Sequence, residues 1–258
     1  MTPISATIIT RNEQQNIARA IRSLSCAEEI IVVDSESTDS TARIAADLGA
    51  RVMVHPFAGF AAQKNYATEQ ARHSWILSLD ADEELDLEAI DAVNQWKASP
   101  PGAAGYRFAR RARYLGRWIL HSGWYPDDKL RLFDRARGRW QGDYVHESVA
   151  VDGRVETLAG EILHYTCDSL DEHRARIEFY TDLAAREMFE RGARANAATG
   201  LIAAPWIFLQ TYFLRLGVLD GVQGFHIARM AARYVRRKYS KLERLRAMSS
   251  LPEGQDRE

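Results

Sequence analysis

Cysteine is scarce. Cys26 and Cys167 are the only two in 258 residues, too few for a disulfide framework, and neither sits in a Cys/His cluster with zinc-site spacing. A reducing compartment is the expectation. An excess of charge of one sign is also missing: the net charge is −1, so no global field advertises nucleic acid as a partner. The opening Met1-Thr2-Pro3-Ile4-Ser5 lacks the basic start and long apolar stretch of a signal peptide, which points to the cytoplasm. The dinucleotide fingerprint G-x-G-x-x-G is absent after the first apolar segment, where Thr10-Arg11-Asn12-Glu13 stands instead, and no Walker A sequence occurs. Dehydrogenase and P-loop ATPase are therefore poor fits.

What is present is a globular balance of 46% hydrophobic and 27% charged residues, long enough for one large domain or one domain with an appendage. Ile4 to Ile9 reads as a strand. Ile17, Ile21 and Leu24 recur at helical spacing, and Glu29-Ile-Ile-Val-Val-Asp34 is a second strand ending in acid. Ser35 to Asp39 supplies helix-capping residues before Thr41 to Leu48, Gly49 stops that helix, and Arg51 to Val54 is a third strand. A helix over Gly59 to Arg72 leads to the strand Trp75 to Leu79. Strand and helix alternate throughout, so a parallel, helix-covered, Rossmann-like sheet is expected.

Trp75-Ile-Leu-Ser-Leu-Asp80-Ala81-Asp82 is the stretch around which the rest is organised. Open α/β sheets bind ligands beyond the carboxyl ends of their strands, where Asp34, Asp80 and Asp82 fall. Two carboxylates one residue apart suit a hard divalent cation bridging to phosphate oxygens. They equally suit the capped first turn of a helix.

Three ordered motifs, Ser5-Ala-Thr-Ile-Ile-Thr10-Arg-Asn12-Glu13, Ile31-Val-Val-Asp34-Ser35-x-Ser37-x-Asp39-x-Thr41 and Leu79-Asp80-Ala81-Asp82-Glu83, resemble those of the inverting family-2 glycosyltransferases of GT-A fold. Gly123-Trp-Tyr-Pro126, Val145-His146-Glu147 and Leu219-Asp220-Gly221 are similar to the lipopolysaccharide-core β-1,4-glucosyltransferase group within it. The resemblance implies a mixed sheet with helices on both faces plus a C-terminal helical appendage. Residues 1–166 would be the catalytic domain, with a nucleotide-binding half (1–99) and an acceptor-side half (100–166). A helical, possible membrane-associating region (167–250) and a tail (251–258) would follow. It implies a nucleotide-diphosphate sugar donor, UDP-glucose, held by Thr10, Asn12, Glu13, Asp34, Asp80 and Ala81. Asp82 would hold Mg²⁺ or Mn²⁺ on the diphosphate. Lys64 would reach the nucleotide side, or stay a solvated surface lysine. Alternatives are a sugar nucleotidyltransferase, whose glycine-rich basic loop is missing, and a catalytically silent membrane adaptor.

Past Pro100-Pro101-Gly102, the segment Gly105 to Leu115 alternates like strands of a mixed edge. Arg107, Arg110, Arg111, Arg113 and Arg117 form a basic cluster that suits an anionic lipid-linked glycan acceptor or plain solvation. In the turn His121 to Asp128, Gly123 could bring backbone close to the donor and Trp124 could stack on a sugar. Inverting transfer needs a base for the acceptor hydroxyl. The resemblance points to Glu147, with Asp127 and Asp128 as rivals. Asp152-Gly153 signals a hairpin, and His164 beyond it would be a further metal or diphosphate ligand.

Ser169-Leu-Asp-Glu172 opens a long amphipathic helix to Arg191. Leu201 to Leu216 is the most apolar tract, interrupted by Pro205, Gln210 and Arg215, which suits a helix lying in a membrane interface more than one crossing it. Arg229, Arg233, Arg236, Arg237, Lys238, Lys241 and Arg244 give the last helix a cationic face for anionic headgroups. A peripheral position on the inner face of the cytoplasmic membrane is the expectation; a helical hairpin packed on protein is the other reading.

Overall fold

The computed structural model describes residues 1–142, 147–194 and 196–249. It separates into two compact units: Met1–Arg113 with Tyr125–Thr166, and Tyr114–Trp124 with Cys167–Glu258. Residues 114–124 group with the second unit, where Tyr114 and Ile119 bury their side chains with Cys167 and Ile227.

The first unit is built on β1 (Ile4–Thr10), α1 (Ile17–Ser23), β2 (Glu29–Asp34), α2 (Thr41–Asp47), β3 (Arg51–Val54), α3 (Phe60–Glu69) and β4 (Trp75–Asp80). The strands β3, β2, β1 and β4 lie side by side and parallel. Period-two side chains serve both faces. Ile4, Ala6 and Ile8 of β1 pack with Ile17, Ala20 and Ile21 of α1 on one face, while Ile31, Val33 and Ile76 pack with Ala67 and Ala71 near α3 on the other.

The chain continues through β5 (Glu83–Leu85), α4 (Leu87–Lys97), β6 (Gly105–Tyr114), β7 (Arg117–Trp118), β8 (Asp127–Asp134), β9 (Gly138–Gln141), β10 (Ser148–Val151) and β11 (Val155–Cys167). Here the sheet becomes mixed. Its order is β3-β2-β1-β4-β8-β6-β11-β5, with β8 antiparallel to β4 and β6, and β11 antiparallel to β5. Asp86 caps α4 by accepting from the Ala89 N–H at 2.8 Å. The helix therefore starts later than the acidic run suggests, and Glu83–Leu85 is a strand instead. Asp152-Gly153 closes no hairpin: β10 pairs with β9, and β11 belongs to the larger sheet.

Two features of this topology position the site. Strand order reverses beside β1, with β2 on one side and β4 on the other, which makes the crevice above β1 a topological switch point. In addition, β5 follows β4 after two residues yet pairs with β11, so the far end of the sheet returns to the Asp80–Asp82 turn.

The second unit holds α5 (Leu170–Glu190), α6 (Ala197–Leu209), a π-helical turn (Gln210–Leu214), a 3-10 turn (Gly217–Asp220) and α7 (Gly221–Ser249). Ser169 caps α5 by accepting from the Glu172 N–H, while the Glu172 carboxylate reaches back to the Asp168 N–H. Glu178 of α5 is gripped by Arg233, Arg237 and Lys241 of α7. Those three cations, expected on a headgroup-facing surface, thus join helix to helix.

Candidate active site

The sheet register sets the site. Thr10 lies beside Asp34 and Ile9 beside Asp80, so both acids flank β1 at its carboxyl edge. The turn after β1 is fixed by side chains rather than by glycine. Asn12 takes a left-handed φ of 56°, which its short amide tolerates. Its N–H donates to Ser37 Oγ and its Oδ1 accepts from the Thr38 N–H, both at 2.8 Å. The Glu13 N–H donates to Thr41 Oγ1. Asp34 in turn accepts from the Ser37 N–H and hydroxyl. Burial alone would raise the carboxyl of Asp39, but donation from Thr41 and the Gln14 N–H outweighs it and holds it below its ordinary pKa. Thr10, Asn12, Glu13 and Asp34 are therefore brought together as two loops laced to each other.

Beneath β4 lies a charge network that the sequence did not reveal. Lys64 of α3 is only 2% exposed. Its Nζ stands 2.7 Å from Asp80 Oδ1 and 2.9 Å from Glu147 Oε1, over the Trp140 ring at 4.4 Å. It is no solvated lysine. The other oxygen of Asp80 accepts from Arg131 Nη2 at 2.8 Å, and the same nitrogen donates to Glu83 at 2.8 Å. Glu83, fully buried, also accepts from Arg110 Nη1 and from the Asp80 N–H. Burial would raise the Asp80 carboxyl, but Lys64 and Arg131 hold it well below the usual carboxylate range. Burial would likewise weaken the Arg131 cation, and Glu83 and Asp80 reverse that. Arg131, Glu83 and Trp140 are the residues the sequence reading missed; a charged residue midway along an apolar strand, Leu130-Arg131-Leu132, was the available signal.

Asp82, one residue past the buried Ala81, is differently placed. Its Oδ2 lies 3.3 Å from His164 Nε2, and its carbonyl accepts from the Tyr165 N–H. Among the described residues no group of three or more His, Cys, Asp or Glu is arranged to hold a metal ion. The pair would offer a carboxylate oxygen and an imidazole nitrogen to a divalent cation, and both side chains are partly exposed.

The three candidate bases separate. Glu147 joins the strand-edge group through Lys64. Asp127 accepts from Arg110 Nε and Nη2 and pairs with Lys129; burial raises it, Arg110 and Lys129 outweigh that, and its pKa is lowered. Asp128 is exposed, next along β8 and so on the opposite face. Residues 143–146, including Val145 and His146 of the motif around Glu147, lie outside the described residues, as does the tail.

The basic cluster of β6 is not one patch. Arg110 is committed to Glu83 and Asp127, and Arg111 to Glu161 at 2.6 Å. Gly123 and Trp124 belong to the second unit. Gly123, at φ 74°, has the Arg215 side chain against it, and a Cβ there would stand 2.6 Å from Arg215 Cδ. Trp124 packs edge-on to Tyr114, with ring centroids 5.4 Å apart.

A mixed sheet whose parallel half carries a switch-point crevice with acids at both flanking strand tips has the GT-A architecture. Comparison with known proteins agrees: the Glycosyl transferase family 2 model matches residues 5–151, and the chain belongs to that family of enzymes. It is 32% identical to the lipopolysaccharide core biosynthesis glycosyltransferase LpsC of Rhizobium meliloti (strain 1021), over 98% of this chain and 97% of that one. An uncharacterized glycosyltransferase of Rickettsia typhi is also 32% identical, over 87% of this chain and 81% of its own. Among solved structures, glucosyl-3-phosphoglycerate synthase of Mycobacterium tuberculosis with Mn²⁺ and UDP overlaps 43% of this chain and 44% of that one, at 22% identity and a TM-score of 0.37; that overlap is too partial to argue from.

Proposed function

We propose that this enzyme transfers a sugar, glucose from UDP-glucose, with inversion to a lipid-linked glycan, the inner core of lipopolysaccharide, at the inner face of the cytoplasmic membrane. The observation that carries the site chemistry is Lys64, whose one ammonium joins Asp80 at the strand tip to Glu147. The choice of acceptor rests on likeness to LpsC over nearly the whole chain.

Asn12, Glu13 and Asp34 present polar groups for the nucleoside at the crevice wall. Asp82 and His164 would hold Mg²⁺ or Mn²⁺, which when bound offsets the charge of the leaving diphosphate. Lys64 positions the Glu147 carboxylate at the strand tip, 2.9 Å from its ammonium. As the acceptor oxygen bonds to the anomeric carbon, its proton passes to Glu147, and the bond from that carbon to the β-phosphate oxygen breaks with its electron pair leaving on UDP. Asp80, held by two buried cations, is fixed as a rigid acceptor for donor hydroxyls.

The test is a donor screen with truncated lipopolysaccharide acceptors, read by mass spectrometry with Mn²⁺ or Mg²⁺ present. A hexose increment from UDP-glucose is expected. No increment with any nucleotide sugar, and no slow UDP release, would overturn the reading.

A further inference from the structure

We propose that the second unit docks on an anionic lipid leaflet tip-first, by the corner where α6 turns into α7, and does not cross the bilayer. This deepens the membrane reading above and rests on it.

Ala197–Leu214 is long and apolar enough to cross a membrane by length and composition, with 11% of that stretch buried. Its partner decides the matter. Phe208 packs on Phe225 with centroids 5.7 Å apart, and Tyr212 packs on Phe225 at 6.0 Å. Further back, a Cβ on Gly200 would stand 3.1 Å from Arg236 Cα. The two helices thus run antiparallel as one hairpin. The corner is backbone on backbone, since a Cβ on Gly224 would meet the Gly217 carbonyl oxygen at 1.8 Å.

The arms differ in charge. From Ala197 to Leu214 α6 and its π-turn carry none, but α7 meets Arg229 eight residues after Gly221, then Arg233, Arg236, Arg237 and Lys238. Eight residues of helix rise about 12 Å, against a hydrocarbon core of about 30 Å. A hairpin driven deeper would carry Arg229 and then Arg236 and Lys238 into hydrocarbon, which strongly opposes it. Insertion therefore stops within one leaflet.

The corner has the surface such insertion needs. Phe213, Leu214, Leu216, Val218, Leu219 and Val222 are all exposed, Leu214 at 67% and Val222 at 69%. Its acid is hidden: Asp220 is 2% exposed and accepts from Ser122 Oγ and the Leu120 N–H, with His121 Nδ1 at 3.2 Å. Two cations lie close to the tip. Arg215 rests on Gly123, and Arg117 donates to the Leu219 carbonyl at 3.3 Å. Long basic side chains reach back to phosphate while their stems stay in apolar surroundings. Apolar tip, then cations, fits an anionic headgroup layer over a shallow hydrocarbon pocket.

The experiment is co-sedimentation of the full chain with phosphatidylglycerol/phosphatidylethanolamine vesicles and with neutral phosphatidylcholine vesicles, comparing Leu214→Glu and Leu219→Glu with Ile202→Glu. Ile202 is 79% exposed but sits about 18 Å back from Leu214 along the helix. Thermal melts confirm that each variant is folded, and UDP release without acceptor confirms the catalytic unit separately. The expected result is binding to anionic vesicles that weakens on the order of tenfold or more for each tip variant, and by less than about twofold for Ile202→Glu. Equal loss from Ile202→Glu overturns tip-first docking. So do unaffected tip variants, wild-type protein that ignores anionic vesicles, or a wild-type dimer split by Leu214→Glu with no lipid binding. Retained UDP release in any of those cases leaves the transferase reading standing.

Discussion

Replacing Lys64 with methionine isolates the electrostatics of the strand-tip network, because methionine keeps much of the length and apolar stem while removing the cation. The ammonium touches Asp80 at 2.7 Å and Glu147 at 2.9 Å, so these carboxylates are at most about 6 Å apart, and at an effective dielectric of about 20 they repel by about 3 kcal/mol. Both are partly exposed, which reduces this to about 1–2 kcal/mol. Adding the lost attraction, Lys64→Met should cost about 2–3 kcal/mol at pH 7, a fall in melting temperature of roughly 5–10 °C for a chain of this size. The sign with pH follows from Asp80. Its folded pKa is depressed, so its stabilisation is present above the unfolded value of about 4 and is lost as pH falls below it. The gap between wild type and variant should narrow below about pH 4. The cycle Lys64→Met, Glu147→Gln and the double variant checks the pairing: removing Glu147 should restore about 1–2 kcal/mol in the Lys64→Met background. Calorimetric melts at pH 7 and pH 3.5 are the assay. Strict additivity, or a deficit unchanged between the two pH values, would refute the network as described.

Asp82→Asn should abolish Mn²⁺-dependent UDP release while moving the melting temperature little; full activity in that variant removes Asp82 as the cation ligand. His164→Gln should raise the metal concentration for half-maximal release on the order of tenfold, and an unchanged metal titration would count against its role. Glu147→Gln should leave donor binding by calorimetry intact and cut transfer by about 10²–10⁴; normal transfer passes the role to Asp127 or Asp128. In the second unit, burial and then Arg176 push the His173 imidazole down to about 4, with its Nδ1 2.7 Å from Tyr114 Oη. The unfolded chain binds that proton from about pH 6.5 downward, so stability should fall between about pH 6.5 and 4. His173→Gln should flatten that stretch of the melting profile, and a profile of unchanged slope would exclude His173 as its source.

The parallel half of the sheet was legible because each strand is a short apolar run that stops at a polar or acidic residue, and each intervening helix shows its periodicity or its cap. Asp34, Asp80 and Asp82 were legible as a strand-edge group for the same reason. The buried ion network was not. Lys64 meets Glu147 across 83 residues, and Arg131 meets Glu83 across 48; such pairings depend on sheet order, which local spacing does not encode. Arg131 sits between Leu130 and Leu132, where alternation suggests an outward charge. Glu83 at the start of β5 draws it inward instead. The strand β5, three residues long, is too brief to show any period, yet its pairing with β11 is what brings His164 to Asp82. The cationic face on α7 was legible as a stripe, but Glu178, 59 residues before Arg237, claims part of it.

The division of labour between Asp80 and Asp82 follows from that network. Lys64, Arg110, Lys129 and Arg131 stand against Asp80, Glu83, Asp127 and Glu147, four charges of each sign, so the group beneath β4 is close to neutral. A divalent cation placed on Asp80 would confront Lys64 and Arg131 at once. Asp82 is not a member of that group, and its Oδ2 stands 3.3 Å from His164 Nε2. In the proposed site the two carboxylates separated by one residue would therefore present unequal surroundings to a metal, with the buried cations disfavouring it at Asp80. Removing Arg131 should blur that distinction: Arg131→Met would leave Asp80 half-neutralised, destabilise the fold, and let Mn²⁺ support activity with a weaker dependence on Asp82. If Arg131→Met/Asp82→Asn is as dead as Asp82→Asn alone while still folded, then the geometry of the β4–β5 turn, and not the neighbouring charge, chooses the ligand.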